Sequence, residues 1–507
     1  MRVAALGALV ELMLASAAHA AQKDAHQVLS AARRAMGMMS GTQNLEAVGR
    51  IEAEGLGGNH DEIIRPSDGA FATRDRFASF KEAEGYDGRV HWREDRSGGT
   101  HLLNAPYTVG TTLSEAWLRH RGYLEAGTAR ILTVAHEKIG ETRATVLTMR
   151  PRGGNPVRLA FDDSSHLLIR AQWDKPISTV TETYRDYRSV GTFKAPFHMD
   201  IEESGERSEI SIERYLRPKA STSAFERPRQ PSDTLIRGSS TLAMDALSFA
   251  VVPARINGHD YDFILDTGGH NIVTPAVAAA LDLTSEGKGS SGGSGEGRAA
   301  TSDTRIAELR LGSATMTNQH FTILDLDGAV KRKGKPDMAG ILGLEIFERM
   351  AVTIDEPHNR LTIEPFRPNR ACDGDRLPLV FDDDQPAVRG KIDKIPAQIG
   401  IDVGNGGLPI VLWRWAEANK IAAHYSEGTK GEGHGVGGSN VTFKTPHHDI
   451  SLGRTALRDV DVNYAISKAG YFSSRADSMN LGRALLQKYA VRFDYAAATM
   501  CVMKPKD

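Results

Sequence analysis

"FILDTGGHNIVTP", residues 263–275, decides how the rest of the chain is read. An apolar run ends in Asp266-Thr267-Gly268, and a second apolar run follows. An acid at the end of an otherwise buried strand is either an ordinary turn residue or half of a site whose other half lies elsewhere in the chain.

A second half is present. "RINGHDYDFILDTGG" (255–269) is echoed by "KIDKIPAQIGIDVGN" (391–405). In each, a two-residue turn, Asn257-Gly258 or Asp393-Lys394, feeds the strand that ends in the acid. A glycine follows two places on, Gly268 or Gly404. The register continues downstream. "LRLGSATMTNQHFTI" (309–323) answers to "ISLGRTALRDVDVNY" (450–464), and "ILGLEIFERMAVTID" (341–355) to "MNLGRALLQKYAVRFD" (479–494). Ile346 falls with Leu485, Val352 with Val491, and Ile354 with Phe493. Landmarks in one order, with small length changes between them, mark an internal duplication.

On these residues the region 240–507 resembles the aspartic peptidases. It looks like two retropepsin-like units in tandem, the arrangement of bilobal pepsin-like enzymes. The resemblance implies a mainly β fold in which each lobe supplies one acid, Asp266 from "DTG" and Asp402 from "DVG". It also implies catalytic-loop support from Thr267, Gly268, Val403, Gly404 and Asn405, with "ILG" (341–343) and "NLG" (480–482) packed under the two loops. The chain departs from the family pattern in two ways. Val403 has no hydroxyl to brace the opposite loop, and Gly269 and Asn405 replace the small or hydroxylated residue common after the motif. Asn405 keeps an amide able to hydrogen-bond a neighbouring carboxylate. Flaps are expected in "GKGSSGGSGEG" (287–297) and "EGTKGEGHGVGGSN" (427–440), with Gly292, Gly293, Gly437 and Gly438 at the tips. Neither stretch has the flap tyrosine of pepsin-like enzymes, which points to the retropepsin-like variety.

Upstream, "MRVAALGALVELMLASAAHA" has a basic start at Arg2, an apolar middle and a small-x-small end at Ala18-His19-Ala20. Residues 1–21 read as a signal peptide, with an amphipathic first helix as the alternative. Export places the mature chain in the periplasm or outside the cell, with no integral membrane segment once the signal is removed. Residues 22–40 have helical apolar spacing. Short alternating segments follow, as in "ATVLTMRPRGG" and "SEISIERYL", so 22–216 reads as an α+β domain with a curved antiparallel sheet. Strand rhythm and "GYDGRVHWREDRSGG" (85–99) resemble the half-barrel proteins that handle lipoproteins in the bacterial envelope. Lipid or peptide holding, a propeptide-like cover and a plain structural role all remain open for it. Residues 217–239, with three prolines and no periodicity, read as a linker. The first lobe then spans 240–370 and the second 371–507.

The remaining signals are plain. Apolar residues make up 40% of the 507, charged residues 25%, and formal net charge is −2, so no field draws nucleic acid. Cys372 and Cys501 are the only cysteines and form either a disulfide or two buried thiols. No metal-ligand spacing, phosphate loop, Ser/His/Asp motif or HExxH helix appears, so no metal or cofactor is expected. His447-His448, "KRKGK" (331–335) and "FDDDQP" (381–386) read as surface features. The expectation is an aspartic endopeptidase acting on a peptide or protein, needing no oligomer because both acids lie in one chain. The alternative is a non-catalytic peptide-binding or envelope lipoprotein-handling protein on the same fold.

Overall fold

The computed structural model describes residues 22–39, 43–219, 221–246, 249–326, 331–467 and 469–505; the expected signal peptide lies outside them. The protein is mainly β. Among the described residues no helix is long and apolar enough to cross a membrane.

A helix over 22–36 precedes a thirteen-stranded antiparallel sheet. Leu45–Ala53 pairs with Leu56–Ile64 on one side and Glu206–Leu216 on the other. Two meanders therefore meet at the centre of the sheet and leave Thr100–Leu102 and Ala129–Ile139 at its edges. Alternation sends Leu159, Phe161, Ala171, Trp173, Val180 and Tyr184 to one face, where they pack with Ala25, Ala32 and Met36 of the first helix. Helix Pro106–Arg119 crosses the same sheet, adding Trp117 and Leu118 to that cluster and polar contacts beside it. Arg119 donates to Glu62 at 3.0 Å, Trp173 to Glu115 at 2.9 Å, and Thr112 meets His91 at 2.6 Å.

The expected linker is not a free tether. Phe225 is fully buried, and Trp92 Nε1 donates to its carbonyl at 2.9 Å. Gln230 pairs with the edge strand at Thr100, accepting from its N–H at 3.1 Å and donating to its carbonyl at 2.5 Å. Thr234–Ile236 then joins the next sheet against Ala314–Met316. Prolines removed the periodicity that sequence reading relies on, yet the segment closes an exposed sheet edge.

Two further sheets follow one path. In the first, the strands run Ala250–Ile256, His259–Leu265, Gly340–Leu342, Ile272–Val273, Ala314–Leu324, Ala299–Leu311 and Glu286–Ser291. In the second they run Gln385–Ile392, Ile395–Ile401, Met479–Leu481, Ile410–Leu412, Thr455–Ile466, Gly438–Leu452 and Thr429–Gly435. Both close on themselves, through Ile256 with Leu309 and Ile392 with Ile450. The entry turns have left-handed residues as the sequence required, Asn257 and Gly258 in one sheet and Asp393 and Lys394 in the other.

A six-stranded sheet joins the two halves, with Ala351–Asp355 antiparallel to Ala490–Asp494 at its centre. Val352 faces Phe493, Ile354 faces Val491, and Thr353 faces Arg492. Because Thr353 and Arg492 are duplicates of each other, a pseudo-twofold axis passes between them. A disulfide joins Cys372 to Cys501 beside this sheet, with Cα atoms 5.7 Å apart.

Two features expected at the surface are exposed but for one side chain each, His447 and the lysines of "KRKGK" facing solvent. His448 is 2% exposed, hydrogen-bonded to Asp393 at 2.6 Å and stacked on Tyr425. In "KRKGK" the Arg332 side chain is buried against Asp262 at 2.8 Å. In each case an acid from another strand neutralises or orients a group that looks solvated when read alone.

Phe225→Ala tests the linker's packing. A tether would tolerate it, whereas a buried anchor loses about 3–5 kcal/mol. The expected outcome is a lower urea midpoint for the tertiary signal of the N-terminal sheet.

Candidate active site

Asp266 and Asp402 each stand one residue past a strand that pairs in parallel with a short partner. Leu265 lies beside Leu342, and Ile401 beside Leu481. The backbone N–H of Asp266 donates to Leu342 O at 3.0 Å, and that of Asp402 to Leu481 O at 2.9 Å. Past each turn the bond is returned: Leu344 N–H donates to Gly269 O at 2.8 Å and Arg483 N–H to Asn405 O at 3.0 Å. This close layering needs glycine at 343 and 482, since a Cβ on Gly482 would lie 2.5 Å from the Asn405 carbonyl oxygen.

The two loops meet at Thr267, which is fully buried. Its hydroxyl donates to Ile401 O at 2.7 Å and accepts from Val403 N–H at 3.0 Å. Gly404 faces Asp266, where a Cβ would fall 2.5 Å from Oδ2; Gly268 faces Asp402, where a Cβ would fall 3.2 Å from Cγ. The two carboxyl groups thus face each other across the paired glycines. Burial, and then the charge of Asp402, push Asp266 well above the ordinary carboxyl range. Asp266 Oδ1 accepts from Gly268 N–H at 2.7 Å. Asp402 Oδ2 accepts from Asn480 Nδ2 at 2.6 Å, which fixes that oxygen as an acceptor.

Sequence reading put the amide bond to a carboxylate on Asn405. In the structure Asn405 acts one step back, donating to Asn480 Oδ1 at 2.7 Å, and Asn480 holds the acid. Its duplicate in the first lobe is Ile341, so "NLG" against "ILG" was the signal. Gln385 also donates to Ile401 O, at 2.9 Å, the carbonyl that Thr267 already holds, and so does not replace the hydroxyl that Val403 lacks. Its Oε1 is 2.6 Å from where a Gly268 Cβ would be.

Gln385 belongs to "FDDDQP", which is no solvated loop: Phe381, Asp382 and Gln385 are all buried. Asp384 contacts His270 at 3.2 Å, His101 at 3.1 Å and Arg93 at 3.4 Å, and Arg93 also pairs with Asp383. His270, four residues after Asp266, meets Glu345 at 2.9 Å on its other nitrogen. Burial alone would lower His270, but the charges of Glu345 and Asp384 outweigh it and hold the imidazole well above its usual range. His101 is likewise raised, to about 9, against burial, by Asp384 and Glu348.

Two hairpins meet over the seam. Gly292 and Gly293 lie at the turn after Glu286–Ser291; Gly437 and Gly438 turn the second hairpin with φ of 89° and 99°. Gly295 N–H donates to Val436 O at 2.9 Å, Gly297 N–H to Gly437 O at 2.8 Å, and Asn440 Nδ2 to Ser294 O at 2.8 Å. Val436 also packs against a first-lobe cluster that includes Ile264 and Ile341. Tyr471 N–H donates to Gly293 O at 2.9 Å. Its hydroxyl fills the space left by Gly400, two residues before Asp402, and donates to Asp477 at 2.7 Å.

Among the described residues, two groups of acids and histidines are close enough to hold a metal: Glu84 with His91 and Glu115, and His198 with Asp200 and Glu209. Both lie in the N-terminal sheet, away from the dyad, and protein partners already engage them.

The family model described as aspartyl protease matches residues 252–346. No curated protein matches the sequence. Among solved structures, an aspartic proteinase from Irpex lacteus aligns at TM-score 0.37 and 11% identity, over 53% of this chain and 98% of its own. A DUF1329 family protein from Desulfovibrio piger aligns at TM-score 0.29 and 12% identity, over 40% of this chain and 96% of its own. A LolA superfamily protein from Nitrosomonas europaea aligns at TM-score 0.28 and 15% identity, over 40% and 97%. The region around Asp266 is aspartic-peptidase-like.

The raised Asp266 predicts a stability signature that needs no activity. Folding favours its protonated form, so this contribution is complete below the ordinary value of 3.8 and is lost as pH rises through the raised one. Asp266→Asn cannot ionise and escapes the loss. Thermal unfolding should show the variant more stable than the parent at neutral pH, with the gain fading as pH approaches 3.8.

Proposed function

We propose that the protein is an aspartic endopeptidase whose Asp266 and Asp402 activate one water between two tandem retropepsin-like lobes. The carrying observation is the pair of opposed carboxyl groups in a glycine-lined seam, one raised by burial and by its neighbour's charge, the other tied to Asn480. The aspartyl protease match over 252–346 supports the same reading.

The chemistry follows from one proton shared by two acids. Asp402, whose Oδ2 already accepts from Asn480, takes a proton from the water. Asp266 donates its proton toward the scissile carbonyl oxygen as the hydroxyl adds to carbon. The tetrahedral intermediate collapses as the C–N bond breaks, the amine leaves with the proton held on Asp402, and Asp266 recovers its own from the collapsing hydroxyl. No covalent enzyme intermediate forms, and apparent pKa values belong to the pair. In this reading residues 1–21 direct export to the periplasm or beyond, 22–216 form an N-terminal domain, 217–239 connect it, and 240–370 and 371–507 are the lobes.

Val403 supports a second reading, a peptide-holding protein that keeps the fold without the reaction. One half of a reciprocal brace is missing there, and Gln385, which donates to the carbonyl that Thr267 already holds, does not replace it.

The test uses the purified chain and a mixed peptide library across acidic to neutral pH, with and without pepstatin. Cleavage should fall by at least about 100-fold in Asp266→Asn and in Asp402→Asn. Unchanged cleavage in either variant excludes the dyad. Peptide binding without cleavage supports the second reading.

A further inference from the structure

The first hairpin over the seam, residues 286–311, is held by the N-terminal sheet. Lys288 N–H donates to Glu54 O at 2.6 Å, at the tip of the turn between the first two strands of that sheet. Leu56 Cδ1 comes within 3.2 Å of the Cβ position of Gly287. Glu206, at the last turn of the sheet, accepts from Ser290 Oγ and pairs with Arg298 at 3.2 Å. Arg96 reaches Asp303 at 3.0 Å, Glu54 at 2.8 Å and Glu82 at 3.1 Å, with its guanidinium over the Phe80 ring. Asp303 is 4% exposed and also accepts from His320 at 2.9 Å. The base, middle and outer strand of this hairpin are thus fixed from outside the lobe.

The second hairpin is built differently. Among the described residues, the contacts of its outer half beyond its own sheet are the tip bonds to Gly295, Gly297 and Ser294, and Val436 on the first-lobe cluster. Its strand Thr429–Gly435 is a sheet edge, exposed along nearly its whole length. Duplicated hairpins that share a topology therefore differ in what restrains them.

We infer that the N-terminal sheet is a permanent clamp on the first flap, with Glu54, Arg96 and Glu206 as positioning residues, so that the cleft opens by movement of the second flap alone. The inference rests on the aspartic-peptidase reading for its consequence in turnover, but not for its mechanics. Opening breaks the three tip hydrogen bonds and withdraws Val436 from the Ile264–Ile341 cluster, while 286–299 stays in place. Loops with few buried contacts open at the low end of a protein's stability range, and clamped ones do not.

Hydrogen exchange on the full chain reads the two flaps separately. Amides of 429–437 should exchange at least about ten-fold faster than those of 286–299. Glu206→Ala removes one charged anchor from an exposed turn and should speed exchange of 286–299 roughly ten- to hundred-fold. The strands at 157–162 and 168–174 should keep their protection, and Glu206→Gln, which still accepts from Ser290, should fall between. With a cleaved peptide, Glu206→Ala should change KM more than kcat. Equal exchange in the two hairpins, or no effect of Glu206→Ala on 286–299, overturns the clamp. The predicted asymmetry together with no cleavage by the parent chain upholds the clamp and removes the peptidase reading instead.

Discussion

One hydroxyl carries the contact on which the site depends. Thr267 donates to Ile401 O and accepts from Val403 N–H, so a single buried side chain fixes one aspartyl loop against the other. Two acids brought this close repel unless one keeps its proton, and the repulsion must be overcome by contacts elsewhere. The main restraint lies in the sheet between the lobes. Val352 against Phe493 and Ile354 against Val491 set a register symmetric about Thr353 and Arg492. A slip of one residue there would turn every side chain to the other face and carry the loops out of opposition.

The duplication was legible because it obeys local rules. Turn residues with positive φ, strands of fixed length and a glycine at each close approach must recur wherever the fold recurs. The positions of Asp266, Thr267, Gly268, Val403 and Gly404 on the two loops follow from those rules, whereas the roles given to them follow from the family resemblance. Asn480 and Gln385 could not be placed in either way, although both lie in quoted stretches. Their task is defined by a partner on another strand, and the pattern at their own positions is set by burial. Asn480 was at least visible as a polar residue where its duplicate is Ile341. Gln385 had no such sign, because its loop reads as acidic and its burial depends on cations from the N-terminal sheet.

That dependence also explains the errors over charged segments. "FDDDQP" looks solvated when taken by itself, since isolated runs of charge usually are, and "KRKGK" is solvated but for the Arg332 side chain. Arg93 and His101 lie nearly three hundred residues before the acids they meet, and Asp262 lies on a different strand from Arg332. Sequence distance conceals such pairs. Apolar periodicity reports which face is buried, but not which charges are buried together.

The same pairs bear on whether the N-terminal sheet could be cut away as a propeptide. Removing it would strip Arg93 from Asp383 and Asp384, His101 from Glu348, and Arg96 from Asp303, leaving Asp383 without its cation while His270, Arg349 and His320 stay beside the other three. Of these, His101–Glu348 is buried on both sides, and breaking a pair of that kind costs about 3–5 kcal/mol, a large part of a domain's stability. A propeptide interface would instead be expected to leave each partner's charges internally satisfied. The linker between them is tied to the sheet edge through Gln230. His270 extends the point to the site itself: its Asp384 partner is balanced from the N-terminal sheet, only four residues from Asp266 in sequence. The electrostatics around the first aspartyl loop are therefore completed by a part of the chain that the catalytic motif does not contain.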